Sequence, residues 1–402
     1  MHTNKLKILN DPIYGFITIP SELIFDLVEH PYFQRLRRIS QLGLTYLVYP
    51  GAYHTRFHHA LGAMFLMGRA VHILKSKGHE ITHEEEEAVQ IAILLHDIGH
   101  GPFSHALEYS IIPDVVHEQL SLEFMKLLNK EFDGKLSLAI EIFTNEYPKK
   151  FLHQLISSQL DMDRLDYLRR DSFYTGVTEG QVNTERLIAM LNVANDEVVV
   201  DSKGIYSVEK FLVSRRLMYW QVYLHKTVLS AEFLLIQILK RAKDIYSEKL
   251  SMPSVLRPFV ASTFDNDYQT LIPQYARLDD YDVMAAIKEW TQNEDKVLRE
   301  LSTMVIDRKL LAVKVSDQPI DKSTIDLLRK KVAEKYDLSQ EEAAYFVFTE
   351  SMSNSAYNPE HDRINLLYKS GDLIDIAAAS DQLNITALSA PVVKHFLFSP
   401  KP

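Results

Sequence analysis

Apolar residues recur along most of this chain at helical spacing. Leu61, Met64, Phe65, Gly68 and His72 fall three or four positions apart, which predicts a helix over Ala60–Lys75. Thr82-His-Glu-Glu offers a capping start, and the acidic run Glu84–Glu87 suits a helix N-terminus. A second helix is therefore expected through Ala88–Leu95, ending near His96-Asp97. Gly99, Gly101 and Pro102 break it, and Pro102–Glu108 opens the next turn. The same periodicity predicts helices at 117–130, 152–171, 184–194, 207–245, 283–306 and 338–352. Strand signals are fewer. Ile13–Ile19 alternates weakly around Gly15, and Glu197–Asp201 followed by Ser202–Tyr206 reads as a short hairpin. Lys309–Val315, and 364–368 with 372–376 around Ser370-Gly371, read as strands. The expected fold is mainly α: a helical core over 1–245 and a small α+β region over 246–402, cut where Ser251-Met-Pro-Ser interrupts a long helix.

Composition supports a large buried core. The chain has 402 residues, 46% of them hydrophobic, and only 13 glycines. No apolar run reaches the ~18–20 residues of a membrane span. The start, MHTNKLKILNDPIYG, lacks the apolar stretch of a secretory signal, so a cytoplasmic location is expected. The absence of cysteine excludes disulfide and thiolate chemistry. A net charge of −10 argues against broad nucleic-acid binding, though Arg35, Arg37 and Arg38 cluster, as do Arg164, Arg169 and Arg170.

Chemistry concentrates in Leu94–Glu108, LLHDIGHGPFSHALE. Imidazoles and carboxylates are the ligands and proton carriers of metal-assisted hydrolysis. Four residues stand out as metal ligands: His59, His96, Asp97 and Asp163. His96 and Asp97 are neighbours, so they share an ion only at an irregular helix end. Asp163, Tyr167 and Asp171 are spaced to share one helix face. Two imidazoles and two carboxylates balance a divalent charge and leave positions open for water or a phosphate oxygen. Such mixed sites suit Fe, Mn, Mg, Ni or Zn. Burying two carboxylates without a cation would cost several kcal/mol each. Spacing alone does not separate His59 from His54 and His58, nor Asp163 from Asp161.

His105 and Glu108 stand at i, i+3, so a helix sets the carboxylate beside the imidazole and makes His105 a candidate general acid or base. A surface ion pair is the plainer reading of the same spacing. His100 and His117 are further candidates. Arg56, Arg164 and Lys226 are suited to phosphate oxygens.

Seven motifs together carry a resemblance: NDPIYG (10–15), HPYFQRLRRISQLG (30–43), YPGAYHTRFHHALG (49–62), LLHDIGHGPFSHALE (94–108), HEQ (117–119), LDMDRLDYLRRDSFYTGV (160–177) and VYLHK (222–226). In this order they resemble the HD-domain metal-dependent phosphohydrolases. Within these the chain is similar to the deoxynucleoside-triphosphate triphosphohydrolase branch, dGTPase-like, which includes the vertebrate sterile-alpha-motif/HD-domain enzyme. The match covers residues 1 to about 240 and is weak beyond. The resemblance implies His59, His96, Asp97 and Asp163 as the ligands of one divalent metal, with additional Mg expected on the substrate phosphates. It implies a catalytic pair at His105 and Glu108, and His100 and His117 lining the phosphate site. It implies substrate contacts at Arg56, Arg164, Tyr167, Asp171 and Tyr223, with Gln41 and Leu42 beside the sugar. Tyr167 and Asp171 stand where the family reads the sugar 3′-hydroxyl, and Tyr223 where a ring crowds the 2′ carbon.

Some relatives are tetramers activated by nucleotides between subunits, so a homo-oligomer, dimer or tetramer, is expected. At the corresponding regulatory positions stand Lys7, Gln34 and Arg37, with Glu29 where the family has Asp. DRKLLAV (307–313) keeps Arg308 but has Ala312 in place of a phosphate-binding Lys. Helix stabilisation by Gln34 and Arg37 is the alternative reading.

The implied reaction converts a dNTP and water to deoxynucleoside and triphosphate. One alternative is an HD phosphohydrolase acting as a nucleotide monophosphatase or phosphodiesterase. Another is a non-catalytic nucleotide sensor or single-strand nucleic-acid binder using the Arg35, Arg37, Arg38 patch.

Overall fold

The computed structural model describes residues 7–112, 114–264, 267–360, 363–381 and 391–401, without the side chains of Ser104, His105 and Tyr109. The protein is mainly helical, with short strands at the N-terminus and in the C-terminal part. Helix α1 (Arg56–Ser76) runs through the core and buries residues on every side, from Phe57 and Leu61 to Met67 and Leu74. Helix α2 (His83–Leu95) starts at the expected capping box: Thr82 N–H donates to Glu85 Oε2 at 2.8 Å, and Glu85 N–H to the Thr82 hydroxyl at 3.2 Å. Helices α3 (Ser104–Ile111) and α4 (His117–Glu131) follow the glycine-rich turn.

The helix expected over 152–171 is broken. Lys150–Gln154 is one short helix, and α5 (Met162–Thr175) is a separate one. Asp161 causes the restart: its carboxylate accepts the N–H groups of Ser158 and Arg164, both at 2.7 Å. The segment expected as one helix over 207–245 divides into α6 (Ile205–Met218), a π-turn at Tyr219–Tyr223, and α7 (Lys226–Asp244), with His225 capping the second. The 283–306 segment likewise divides at Asp295, which caps Lys296–Ile306.

Strands β1 (Ile8–Asp11) and β2 (Gly15–Thr18) form a hairpin with Gly15 at a positive φ of 76°. The second hairpin lies earlier than the sequence reading put it: β3 (Leu191–Ala194) pairs with β4 (Glu197–Asp201) across Asn195-Asp196. Both turn residues are left-handed, as a type I′ turn requires. Strand β5 (Ala312–Ser316) falls where a strand was expected. The helix expected over 338–352 shrinks to Gln340–Ala343, and Phe348–Asn354 is strand β6 instead. Strands β7 (Asn365–Leu367) and β8 (Leu373–Asp375) pair antiparallel as expected. Strand β9 (Val392–Ser399) lies between β5 and β6. Strand β7 also pairs in parallel with β4, so one sheet joins residues on both sides of position 245. No single described helix is long and apolar enough to cross a membrane.

Candidate metal centre and its surroundings

Three helix ends meet in the core. His59 is on the first turn of α1, Asp163 on the first turn of α5, and His96-Asp97 lie just past the end of α2. His96 keeps helical dihedrals as the cap of α2, and the chain turns directly after it, so both neighbouring side chains reach the same cluster. His59 Nε2 lies 3.1 Å from Asp163 Oδ1 and 3.6 Å from Asp97 Oδ2. His96 Nε2 lies 3.3 Å from Asp97 Oδ1 and 3.5 Å from Asp163 Oδ1. All four candidate ligands of the sequence reading therefore converge.

The decoys have other employment. His58 accepts the Thr55 N–H at 3.2 Å at the head of α1. Asp161 is spent as the cap of α5. His54 Nε2 faces Asp171 Oδ1 at 2.7 Å.

Each candidate ligand histidine is oriented through its second nitrogen. His96 Nδ1 is 2.6 Å from the Ile93 carbonyl, which can only accept. A proton therefore sits on Nδ1; the neighbouring carboxylates outweigh burial and raise both imidazoles, His59 to about 10, so Nε2 is the atom that would give up its proton to an incoming cation. His59 Nδ1 is 2.7 Å from the fully buried Asp166 carboxylate, with the same result. Both Nε2 atoms are buried and lack an aligned hydrogen bond among the described residues. Leaving such an atom unsatisfied costs about 1–3 kcal/mol. His59, His96 and Asp163 offer atoms within reach of one cation, and Asp97 borders them at 3.3 Å from His96 and 3.6 Å from His59, a donor set that suits a divalent cation.

The surrounding charges keep the carboxylates ionised. Burial pushes the Asp97 carboxyl up, but His96 and Arg56 outweigh it and hold it well below the usual range. The Asp163 carboxyl is also held low, because His59 and His96 outweigh its burial. Arg56 Nη1 donates to Asp97 Oδ2. Burial and the Arg56 charge hold the His100 imidazole well below its ordinary value, so it is neutral. Its Nε2 is 3.3 Å from Asp97 Oδ1, and its ring stacks on His117 at 3.8 Å. Glu108 accepts the His117 backbone N–H at 2.9 Å and also faces His117 Nδ1. The His105 side chain lies outside the described residues, so its pairing with Glu108 remains an expectation.

A second group gathers around Asp171. Its Oδ1 faces His54, and its Oδ2 accepts the Tyr223 hydroxyl at 2.7 Å. Tyr223 lies in the π-turn, its ring 6.2 Å from that of Tyr167. Gln41 takes its backbone position from the His54 carbonyl, and its Oε1 is buried without a partner among the described residues. Leu42 follows it at the foot of a 3₁₀ turn. Arg164 donates from Nε to Asp161 at 3.1 Å and to the Ser158 carbonyl.

The proposed regulatory residues lie apart from this centre in sequence. Lys7 is 3.9 Å from Glu29. Arg37 donates to Gln34 at 2.8 Å, as the helix-stabilising reading expects, and lies 3.6 Å over the Phe57 ring. Arg308 donates to the Leu47 carbonyl at 2.6 Å.

Sequence reasoning missed Asp166, Arg170 and Asp11. Arg170 is fully buried, grips Asp166 with two bonds of 2.9 Å, and reaches Asp11 at 2.8 Å. The i, i+4 spacing of Asp166 and Arg170 was a visible signal.

Comparison with known proteins agrees with this geometry. The HD domain family matches residues 56–171, and the HD associated region matches residues 182–257. The chain is 37% identical to the protein YwfO of Bacillus subtilis over 311 residues, 76% of this chain and 71% of that one. It is 31% identical to the deoxynucleoside triphosphate triphosphohydrolase SAMHD1 of Homo sapiens over 270 residues, 56% of this chain and 43% of that protein. The match thus spans under half the length of the human protein. A crystal structure of a phosphohydrolase from Bacteroides thetaiotaomicron superposes with a TM-score of 0.94 at 51% identity, covering 98% of this chain and 100% of that one. The chain belongs to the HD-domain phosphohydrolase family.

Proposed function

We propose that this protein hydrolyses deoxynucleoside triphosphates to deoxynucleoside and triphosphate with a divalent metal. The supporting observation is one arrangement: a four-residue donor set from three helix ends, close along α5 to a wall made by Tyr167, Asp171 and Tyr223. Likeness to SAMHD1 relatives supports the same substrate class. His59, His96, Asp97 and Asp163 would hold the metal. Bound there, such an ion supplies Lewis acidity and lowers the pKa of an attacking water. Arg56 and Arg164 offset the negative charge of the phosphate oxygens. The neutral His100, stacked on His117, offers a hydrogen bond without adding a full charge. His105 is assigned the proton that goes to the departing 5′ oxygen, on its motif alone. Tyr167 and Asp171 contact the sugar 3′ side, and Tyr223 crowds a 2′-hydroxyl.

The test is to incubate metal-loaded protein with each dNTP, alone and mixed, and identify the products by chromatography. Release of triphosphate supports the reading; intact dNTPs together with release of inorganic phosphate from deoxynucleoside monophosphates offered in parallel overturn it in favour of a monophosphatase. Turnover only in a mixture containing dGTP marks nucleotide activation. Strongly salt-dependent binding to single-stranded nucleic acid without turnover overturns the enzymatic reading.

A further inference from the structure

We propose that Tyr275–Asp280 is a positioning clamp that sets the loop carrying His100, although it lies outside both matched family regions. The proposal rests on the reading of His100 as part of the hydrolytic site. Within the loop from Asp97 to Phe103 the His100 N–H donates to the Asp97 carbonyl at 3.1 Å, and further backbone groups are met from outside. Arg35 is fully buried and uses its guanidinium as a three-way bridge. Its Nη1 donates to the Ile98 carbonyl at 3.2 Å, its Nη2 to the His100 carbonyl at 2.6 Å, and its Nε to the Leu278 carbonyl at 3.0 Å. The Tyr275 hydroxyl donates to the Gly99 carbonyl at 3.2 Å, and its ring lies 4.9 Å from the Arg35 guanidinium. Three successive loop carbonyls are thereby fixed. Asp280 holds the far end: its Oδ1 accepts the Phe103 N–H and its Oδ2 the Ser40 N–H, both at 2.8 Å. Asp279 pairs with Arg38 on the same stretch as Arg35.

Two features show how tightly the loop is held. Phe103 sits at φ 50°, a left-handed conformation that non-glycine residues adopt only under constraint. A Cβ at Gly101 would lie 2.3 Å from the Tyr275 hydroxyl oxygen, and one at Gly99 would lie 2.3 Å from the His117 carbonyl. The loop is therefore seated between α4 on one side and Tyr275 on the other. That seat sets the distances from the His100 ring to His117 and to Asp97. Misplacing a reacting group by about 1 Å costs on the order of 100-fold in rate.

Two variants test the clamp. Tyr275→Phe removes one hydroxyl and keeps the ring. Asp280→Asn turns one acceptor oxygen into a donor that faces a backbone N–H. Hydrogen exchange resolved to single amides, metal content and steady-state kinetics are compared with the wild type. The clamp predicts at least ~10-fold faster exchange at the amides of residues 99–101 and 103, unchanged exchange within α2, and unchanged metal content. It also predicts a kcat lower by roughly 10- to 100-fold with KM within about twofold, a split that general destabilisation does not give. Unchanged loop exchange in both variants overturns the proposal, and so does loosened exchange with unchanged kcat. If Asp280→Asn does not fold, Tyr275→Phe carries the test. A wild type that hydrolyses no dNTP refutes the substrate reading alone, and loop exchange then decides the clamp.

Discussion

Replacing Asp166 by Asn keeps the shape of the side chain and removes its charge. Asp166 is fully buried and every oxygen is in use: Oδ2 faces His59 Nδ1 at 2.7 Å and Arg170 Nε at 2.9 Å, and Oδ1 accepts Arg170 Nη2 at 2.9 Å. Whichever way the amide turns, its NH₂ meets another donor. Among the described residues, Arg170 then retains Asp11 as its one ion-pair partner. Breaking one side of a buried ion pair costs about 3–5 kcal/mol, so Asp166→Asn is expected to lose about 3 kcal/mol of metal-free stability because Asp11 remains. The second effect is on His59, whose proton is no longer pinned to Nδ1. Loss of such an orienting carboxylate lowers metal affinity roughly 10- to 100-fold. Urea unfolding of the metal-free protein reads the Arg170 effect, and competition against a chromophoric chelator reads the His59 effect. A variant within about 0.5 kcal/mol of wild type and within about twofold in metal affinity would refute the reasoning on both counts.

Other substitutions probe neighbouring features. His96→Ala removes a proposed ligand and is expected to abolish stoichiometric metal binding, measured by elemental analysis after dialysis; full occupancy would exclude His96 from the site. Gly62→Ala places a Cβ 2.0 Å from Asp166 Oδ1 and 2.2 Å from Arg170 Nη2, so a loss of about 1–3 kcal/mol or more is expected, and wild-type unfolding would contradict the close approach. Glu232, on α7 above Gly43, has its carboxyl pushed up to about 8 by burial. A folded pKa above the unfolded one gives a favourable contribution below about pH 4.3 that is lost as pH rises through 8. Glu232→Gln is therefore expected to gain on wild type between pH 5 and pH 9 by a few kcal/mol, on the order of 3, in urea unfolding. Parallel stability curves would show that Glu232 is not desolvated.

The candidate ligands His96 and Asp97 were legible from the element boundary at which they sit, whereas His59 and Asp163 were separated from their neighbours by the family resemblance. The capping box at Thr82 set where α2 begins, and its apolar run ended at His96-Asp97. Asp166 was harder to read, because its role depends on Asp11, distant in sequence, and on the fold that brings them together. Asp161 was visible as a carboxylate but not as the cap that breaks a helix. The hairpin at Leu191–Asp201 was misplaced although Asn195-Asp196 marked its turn, since Leu187 and Ile188 continue a helical pattern up to it. Strand β6 was taken for helix because its pairing partner, β9, is more than thirty residues downstream. Helical periodicity is local, whereas strand pairing is settled at long range.

The parallel pairing of β4 with β7 has a consequence for biosynthesis. Val199 meets Asn365, so a hairpin made midway through translation waits for a partner that emerges much later. At about 5–20 residues per second, the ribosome leaves that edge uncovered for roughly 10–30 s. During this interval the exposed backbone is a template for nascent neighbours on the same message. Release from the ribosome short of residue 365 would leave a protein with its catalytic helices folded and an open, adhesive flank.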